Sequence, residues 1–157
     1  MHILKVALIG LTVLFVSSGA SLAQDPLAGK WKLNLEKSKY DPGPPPKSIM
    51  LNYEPTEGGM RITVDGVSSD DQPIKQVFGP FKMDEKPYPV TGSPVFDNQI
   101  SKKVDDRTSD FIRRKGEQIT QTGKRELSAD GKIVTITSTG TNAQGQQYNN
   151  VSIFDKQ

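Results

Sequence analysis

The stretch "LAGKWKLNLEKSKYDPGPPP", residues 27–46, decides how the fold begins. Within it apolar and polar residues alternate, so that Trp31, Leu33 and Leu35 lie on one face of a predicted β-strand. The proline-rich residues 42–46 end this strand, because proline has no backbone N–H to donate to a neighbouring strand. The pattern is typical of two architectures: the closing strand of a small ligand-holding barrel, or the first strand of a plain β-domain.

The same alternation continues through most of the chain, with no convincing helical period. Residues 83–96 are predicted to be a loop, because they contain Pro87, Pro89 and Pro94. Short turns join the other segments, which favours a single up-and-down antiparallel β-barrel over a Greek-key sandwich. The fold class is therefore all-β, with about nine strands and no substantial helix after the N-terminal segment. The predicted strands are residues 30–35, 48–54, 60–65, 74–81, 98–104, 109–114, 118–127, 133–139 and 147–154.

The N-terminal residues 1–23 have the pattern of a secretory signal peptide. A short basic start precedes the apolar residues 6–16, and Ser21 and Ala23 occupy the small-residue positions before a cleavage site. The apolar run is well short of the roughly 20 residues that span a bilayer. We therefore expect a periplasmic or secreted location with no membrane insertion after cleavage, and one β-barrel domain over residues 24–157.

The composition excludes several classes of function. The chain has 157 residues and a formal net charge of +2, with charges of both signs interspersed, which is not the clustered basic footprint of a nucleic-acid-binding protein. It contains no cysteine, and its one histidine, His2, lies in the predicted signal peptide. The mature chain would have no imidazole base, no thiolate nucleophile and no His/Cys metal site. We expect no catalytic residues, no metal and no cofactor.

Polar residues interrupt the apolar faces of the C-terminal strands. In residues 118–127, the face with Ile119 and Leu127 also carries Gln121 and Arg125. Unpaired polar groups in a packed core cost about 1–3 kcal/mol each. Two explanations stay open: the lumen holds water or a ligand with a polar group, or a one-residue register change turns these residues to solvent. Similar faces carry Ile133, Thr135, Thr137 and Thr139 in residues 133–139, and Tyr148, Asn150, Ser152 and Phe154 in residues 147–154.

Arg125 has three competing interpretations. Its guanidinium could pair with a carboxylate or phosphate of a ligand through two parallel hydrogen bonds. It could instead stack on Trp31 at one end of a barrel. It could also lie on the surface beside Glu126. The acidic pairs of the chain carry less information, because they fall in predicted turns or loops where carboxylates are ordinarily solvated.

Several pieces of the chain resemble known families. Gly29-Lys30-Trp31 resembles the Gly-x-Trp of the lipocalins and the wider calycin group, which are up-and-down barrels that hold small apolar ligands. The chain is also similar to small exported bacterial proteins described as lipocalin-like or uncharacterised. The Arg-x-Tyr of fatty-acid-binding proteins has no counterpart, since residues 150–154 read "NVSIF". The shared-looking pieces are "GKWKLNLEKSKYDPGPPPKS", "ITVDGV", "YPVTGSP", "LSADGKIVTITSTGTNAQGQ" and "NNVSIFDKQ".

These observations favour an exported barrel that binds a small, partly apolar or amphipathic molecule without transforming it. The alternative is a structural or protein-interaction β-domain of the cell envelope with a packed core, in which an edge strand or residues 42–46 contact a protein partner. A third hypothesis, an enzyme with an inward carboxylate, has the least support. The predicted ligand contacts are Trp31, Leu51, Tyr53, Ile62, Gln121, Arg125 and Tyr148, with Leu33, Ile49 and Val64 as further lumen residues.

Overall fold

The computed structural model describes residues 25–157, so the signal peptide predicted for residues 1–23 lies outside the described residues. Within this range the chain forms eleven β-strands and no helix. The strands are β1 (Gly29–Leu33), β2 (Lys39–Asp41), β3 (Ser48–Thr56), β4 (Gly59–Val67), β5 (Pro73–Phe81), β6 (Asp84–Thr91), β7 (Asn98–Lys103), β8 (Thr108–Lys115), β9 (Gln118–Leu127), β10 (Ile133–Thr141) and β11 (Gln147–Lys156).

Ten of these strands close into one antiparallel barrel. From β3 to β11 each strand pairs with the next in sequence, and β1 pairs with both β3 and β11. The closing pairs include Trp31 with Lys156 and Leu33 with Phe154. The predicted all-β, up-and-down barrel is therefore confirmed. Residues 27–46 supply β1, the strand that closes the barrel.

Strand β2 lies outside the ten-strand ring. It pairs only with β11, through Tyr40 opposite Asn150, on the same edge of β11 that β1 occupies further along. No strand was predicted at β2, because it has only three residues and runs directly into residues 42–46. Its position places Tyr40 and the proline-rich segment at one end of the barrel.

The predicted loop over residues 83–96 is wrong, because Asp84–Thr91 forms β6. The backbone N–H of Val90 donates to Asp97 on the side of β7, so the alternate residues Pro87 and Pro89 turn their nitrogen atoms toward β5. There β6 pairs with β5 at only two positions, near its C-terminal end. The missing N–H groups therefore face an unpaired stretch, which explains why two prolines fit into this strand.

Two bulges alter which side chains face inward. In β5 the register shifts around Gly79, which has a φ of +78°, and both Phe78 and Phe81 are buried although three positions separate them. In the β8–β9 pair the register shifts between Arg113 and Arg114. This shift turns Ile119 outward, with 52 % of its surface exposed, so its predicted place on the face of Arg125 is wrong.

One end of the barrel is closed by packing. Trp31 has no exposed surface, and its indole Nε1–H donates to the carbonyl oxygen of Leu27 at 2.8 Å. Residues 25–28 thus lie across this end, which we call the closed end. Other buried side chains fill the same region and form the solid part of the core: Leu33, Met60, Phe81 and Val134.

Candidate functional site

The other part of the barrel encloses a cavity of about 350 Å³. Its walls are mostly aliphatic and aromatic, and its polar lining consists of hydroxyl, amide and guanidinium groups. Tyr40 and Pro46 lie at its mouth, which we call the open end. The principal lining residues are Ile49, Leu51, Tyr53, Ile62, Val64, Ile74, Gln76, Phe78, Phe96, Arg113, Gln121, Arg125, Ile136, Ser138, Asn150, Ser152 and Phe154.

The cavity brings together five of the seven residues predicted to contact a ligand. Leu51, Tyr53, Ile62, Gln121 and Arg125 all line it, as do Ile49 and Val64 from the wider predicted lumen. Two predicted contacts lie elsewhere, and Leu33 belongs to the solid core. Trp31 is buried at the closed end, and Tyr148 is half-buried in a recess at the open end that it shares with Tyr40 and Pro42.

The two explanations for the polar C-terminal faces apply to different strands. Gln121 and Arg125 of β9 face the lumen, and so do Asn150 and Ser152 of β11. In β10 the inward residues are instead Val134, Ile136 and Ser138, so the face with Ile133 and the three threonines points away from the cavity. Because side chains alternate between the two faces of a strand, a shift of one residue in register moves a whole set of side chains from the lumen to the outside.

Arg125 is buried, with 2 % of its surface exposed, so a surface position beside Glu126 is excluded. Its Cζ lies 5.5 Å from the ring centre of Tyr53 and 6.0 Å from that of Phe111. The predicted stack on Trp31 is wrong, because the cation over the indole ring is Lys156, at 5.1 Å. The remaining interpretation, a contact with a ligand, is compatible with its place in the cavity wall.

A second arginine, Arg113, enters the cavity and was not among the predicted ligand contacts. Its Nε–H donates to Gln99 Oε1 at 2.9 Å and its Nη1–H to Gln121 Oε1 at 2.6 Å. Its Cζ lies 4.6 to 4.9 Å from the ring centres of Phe78, Phe96 and Phe111. The inward position of Arg113 could have been predicted from Phe111, since residues two apart in a strand share a face.

The electrostatic character of the cavity is positive. Neither Arg113 nor Arg125 forms an ion pair within residues 25–157, and none of the lining residues is acidic. Burial, followed by the charge of Arg125, lowers the pKa of Arg113 to about 9. Arg113 therefore still carries its proton at neutral pH.

Two tyrosines modify the open end. The hydroxyl groups of Tyr40 and Ser152 share a hydrogen bond of 2.8 Å, which ties β2 to β11. Burial raises the pKa of Tyr40, and the bond to Ser152 opposes that shift. Burial also raises the pKa of Tyr148, against the opposing charge of Arg113. Both side chains are therefore neutral at physiological pH and can donate or accept hydrogen bonds at the mouth.

A second cavity, of about 290 Å³, lies at the closed end. Its lining includes Asp25, Lys103, Asp105 and Asp106, and Lys103 donates to Asp106 at 2.6 Å. These charges are exposed and already paired or bonded within turns, as predicted for the acidic pairs. Ser109 and Arg125 also line this cavity, so Arg125 lies in the walls of both cavities. The lumen is the stronger candidate site because it also contains Arg113, Gln121 and the unpaired hydroxyl of Tyr53.

No protein-family model matches this chain, and no curated protein matches it. Within residues 25–157, no group of three or more acidic or histidine side chains could hold a metal ion. In the same part of the chain, no helix has the length and apolar character needed to cross a bilayer. The candidate site is therefore defined by the geometry of the lumen.

Proposed function

We propose that this protein is an exported, lipocalin-like barrel that binds a small, partly apolar molecule in its lumen and does not transform it. The observation that supports this most is the cavity of about 350 Å³ inside the closed barrel. Its volume lies within the range of small-molecule sites, which combine apolar walls with a few orienting polar groups. Apolar burial would supply most of the affinity, and the polar groups would set the orientation.

The size and walls of the cavity limit the ligand. A water molecule takes up about 30 Å³ in the liquid, so the cavity could hold roughly a dozen non-hydrogen atoms. Aromatic rings of Tyr53, Phe78 and Phe96 lie in its walls, which favours a compact ligand with a flat or branched apolar body. Trp31 would stabilise the closed end rather than contact this ligand.

Binding without catalysis is supported by the chemistry of the lining groups. Aliphatic, aromatic, amide, hydroxyl and guanidinium side chains line the cavity, and none of them is a general base near neutral pH. The lining therefore suits recognition and orientation better than proton transfer.

Native mass spectrometry on protein purified from its own host without detergent tests the proposal. We expect a reproducible extra mass that is lost on denaturation. Ser138 faces the cavity and Thr137 faces away, so Ser138→Phe should reduce the bound fraction and Thr137→Phe should not. Ligand-free protein that gains no mass in host lipid extract would contradict the proposal and favour a packed envelope domain with a protein partner.

The export part of the proposal has a separate test. The resemblance to small exported proteins and the pattern of residues 1–23 support cleavage after Ala23. Intact-mass analysis of the protein from a periplasmic or culture-medium fraction should give a chain that starts at Gln24. A full-length chain in the cytoplasmic fraction would contradict export and leave the lumen proposal untouched.

A further inference from the structure

Two arginines face the lumen without a counter-ion. Arg113 and Arg125 both line the cavity, and no carboxylate of residues 25–157 forms an ion pair with either of them. The remaining residues, 1–24, contain no Asp or Glu. No acidic side chain of this chain therefore pairs directly with either guanidinium. Buried charges are ordinarily paired, because removing an ion from water costs several kcal/mol.

Arg113 is held in place by groups that carry no charge. Two glutamine oxygens accept its hydrogen bonds, and Gln99 is fixed in turn because its Nε2 donates to Ser101 Oγ at 3.0 Å. The phenylalanine rings around the guanidinium attract the cation but accept no strong hydrogen bonds. This arrangement positions Arg113 and leaves its positive charge in the cavity.

Arg125 and Tyr53 hold unsatisfied donors. Nε–H of Arg125 and the hydroxyl of Tyr53 have no hydrogen-bond partner among residues 25–157, although each residue is only 2 % exposed. Among residues 25–157, the guanidinium of Arg125 makes one hydrogen bond, from Nη1 to Ser109 Oγ at 3.3 Å. The Arg125 Cζ lies 5.5 Å from the Tyr53 ring centre, so both donors belong to one small region of the cavity wall.

We propose that the ligand of this barrel is an organic monoanion with a compact apolar body, and that its oxyanion binds Arg125 and Tyr53 beneath the charge of Arg113. This inference rests on the proposed binding function and specifies its ligand class. A carboxylate or similar oxyanion has several acceptor sites, which matches unpaired N–H and O–H donors. It would also supply the negative charge that this chain lacks in the lumen.

The same lumen selects against other ligands. A neutral alcohol could accept one hydrogen bond but would leave both charges uncompensated. An ammonium group would add a third positive charge to a low-dielectric cavity, where like charges repel strongly. The order of affinity among ligands of equal shape should therefore be acid, then alcohol, then amine.

Isothermal titration calorimetry with three matched probes tests this order on protein freed of bound molecules by unfolding and refolding. The probes are 2-naphthoate, 2-naphthylmethanol and 2-naphthylmethylamine, which share a flat apolar body and differ in charge. We expect 2-naphthoate to bind at least tenfold more tightly than the alcohol, and the amine to bind least. Equal affinities for acid and alcohol would overturn the inference and leave the proposed binding function standing. Failure of all three probes to bind would overturn this inference, and native mass spectrometry would decide the proposed function separately.

Three variants test whether Arg125 and Tyr53 bind the oxyanion of the ligand. Arg125→Met should weaken 2-naphthoate binding at least tenfold and should weaken alcohol binding by a much smaller factor. Lys124→Met removes the same charge from the exposed neighbour on β9 and should change neither affinity. Tyr53→Phe removes only one hydroxyl group and should weaken the acid about threefold to tenfold, the range of one hydrogen bond. Unchanged affinity for the acid in both Arg125→Met and Tyr53→Phe would contradict the assigned site.

Discussion

Replacing Arg125 with methionine should stabilise the ligand-free protein, although it removes a buried side chain that contacts two rings. Methionine is an unbranched side chain of nearly the same reach and still packs against aromatic rings. The arginine gains one long hydrogen bond to Ser109 and ring contacts at 5.5 and 6.0 Å to Tyr53 and Phe111. Each ring contact contributes about 0.5–2 kcal/mol. Two costs oppose these favourable contacts of Arg125. Its unpaired buried charge costs several kcal/mol, and its Nε–H without an acceptor costs about 1–3 kcal/mol.

The balance favours methionine by about 1–3 kcal/mol, which is within the range found when buried ion pairs are replaced by well-packed apolar residues. For a domain of this size that corresponds to an increase in Tm of roughly 3–10 °C. Urea denaturation of refolded, ligand-free protein measures the change, and the fluorescence of Trp31, the one tryptophan of the chain, reports the transition. Lys124→Met is the matched control and should change the free energy of unfolding by less than about 0.5 kcal/mol.

A loss of more than about 1 kcal/mol in Arg125→Met, with Lys124→Met neutral, would refute this reasoning. It would mean that the contacts of Arg125 with Tyr53, Phe111 and Ser109 outweigh the burial of its charge. The arginine would then be a structural part of the barrel wall. The gain in stability and the loss of acid binding are both expected from one variant, and no purely structural role gives that combination.

Three further changes test the account of the fold. Gly123→Ala should destabilise the barrel by about 1–3 kcal/mol, because a Cβ there would lie 2.4 Å from the carbonyl oxygen of Thr137; an unchanged urea midpoint would contradict this close approach. Trp31→Phe should cost about 2 kcal/mol through a lost hydrogen bond and a small cavity, measured by circular dichroism, and a neutral result would contradict the role given to the closed end. The pKa of Asp97 is lowered chiefly by the hydrogen bond that its carboxylate accepts from the backbone N–H of Gly116. The ionised carboxylate therefore stabilises the fold above its unfolded pKa, and this stabilisation is lost as pH falls through the folded pKa. Asp97→Asn should therefore flatten the fall of Tm between about pH 5 and pH 3, and identical slopes would argue against this anchor.

The sequence predicted the barrel because alternation and short turns persist through most strands. Gln118–Leu127 was predicted with the bounds that the structure shows, and Leu51, Tyr53 and Ile62 were correctly placed on inward faces. Local pattern is sufficient where every residue keeps a strict period of two. Closure itself could not be predicted from this pattern, since the pairing of β1 with β11 joins strands from opposite ends of the barrel sequence.

The errors occur where a neighbouring strand decides the outcome. The prolines of β6 are tolerated only because β5 leaves that edge unpaired, and this is not visible from residues 83–96 alone. The outward turn of Ile119 depends on a bulge between β8 and β9. Arg113 was not among the predicted lumen residues. Its position among three rings depends on residues from β5, β8 and the segment before β7, which only the closed barrel brings together.

The central claim is that a ligand occupies the lumen, and titrating 2-naphthoate into two neighbouring variants of β10 tests it most directly. Ser138→Phe puts a ring into the cavity, and Thr137→Phe puts the same ring on the outer face. With both proteins folded, as judged by Tm, we predict at least a tenfold loss of affinity for Ser138→Phe and less than a twofold change for Thr137→Phe. Equal affinities in the two variants would place the bound molecule outside the barrel and contradict the account.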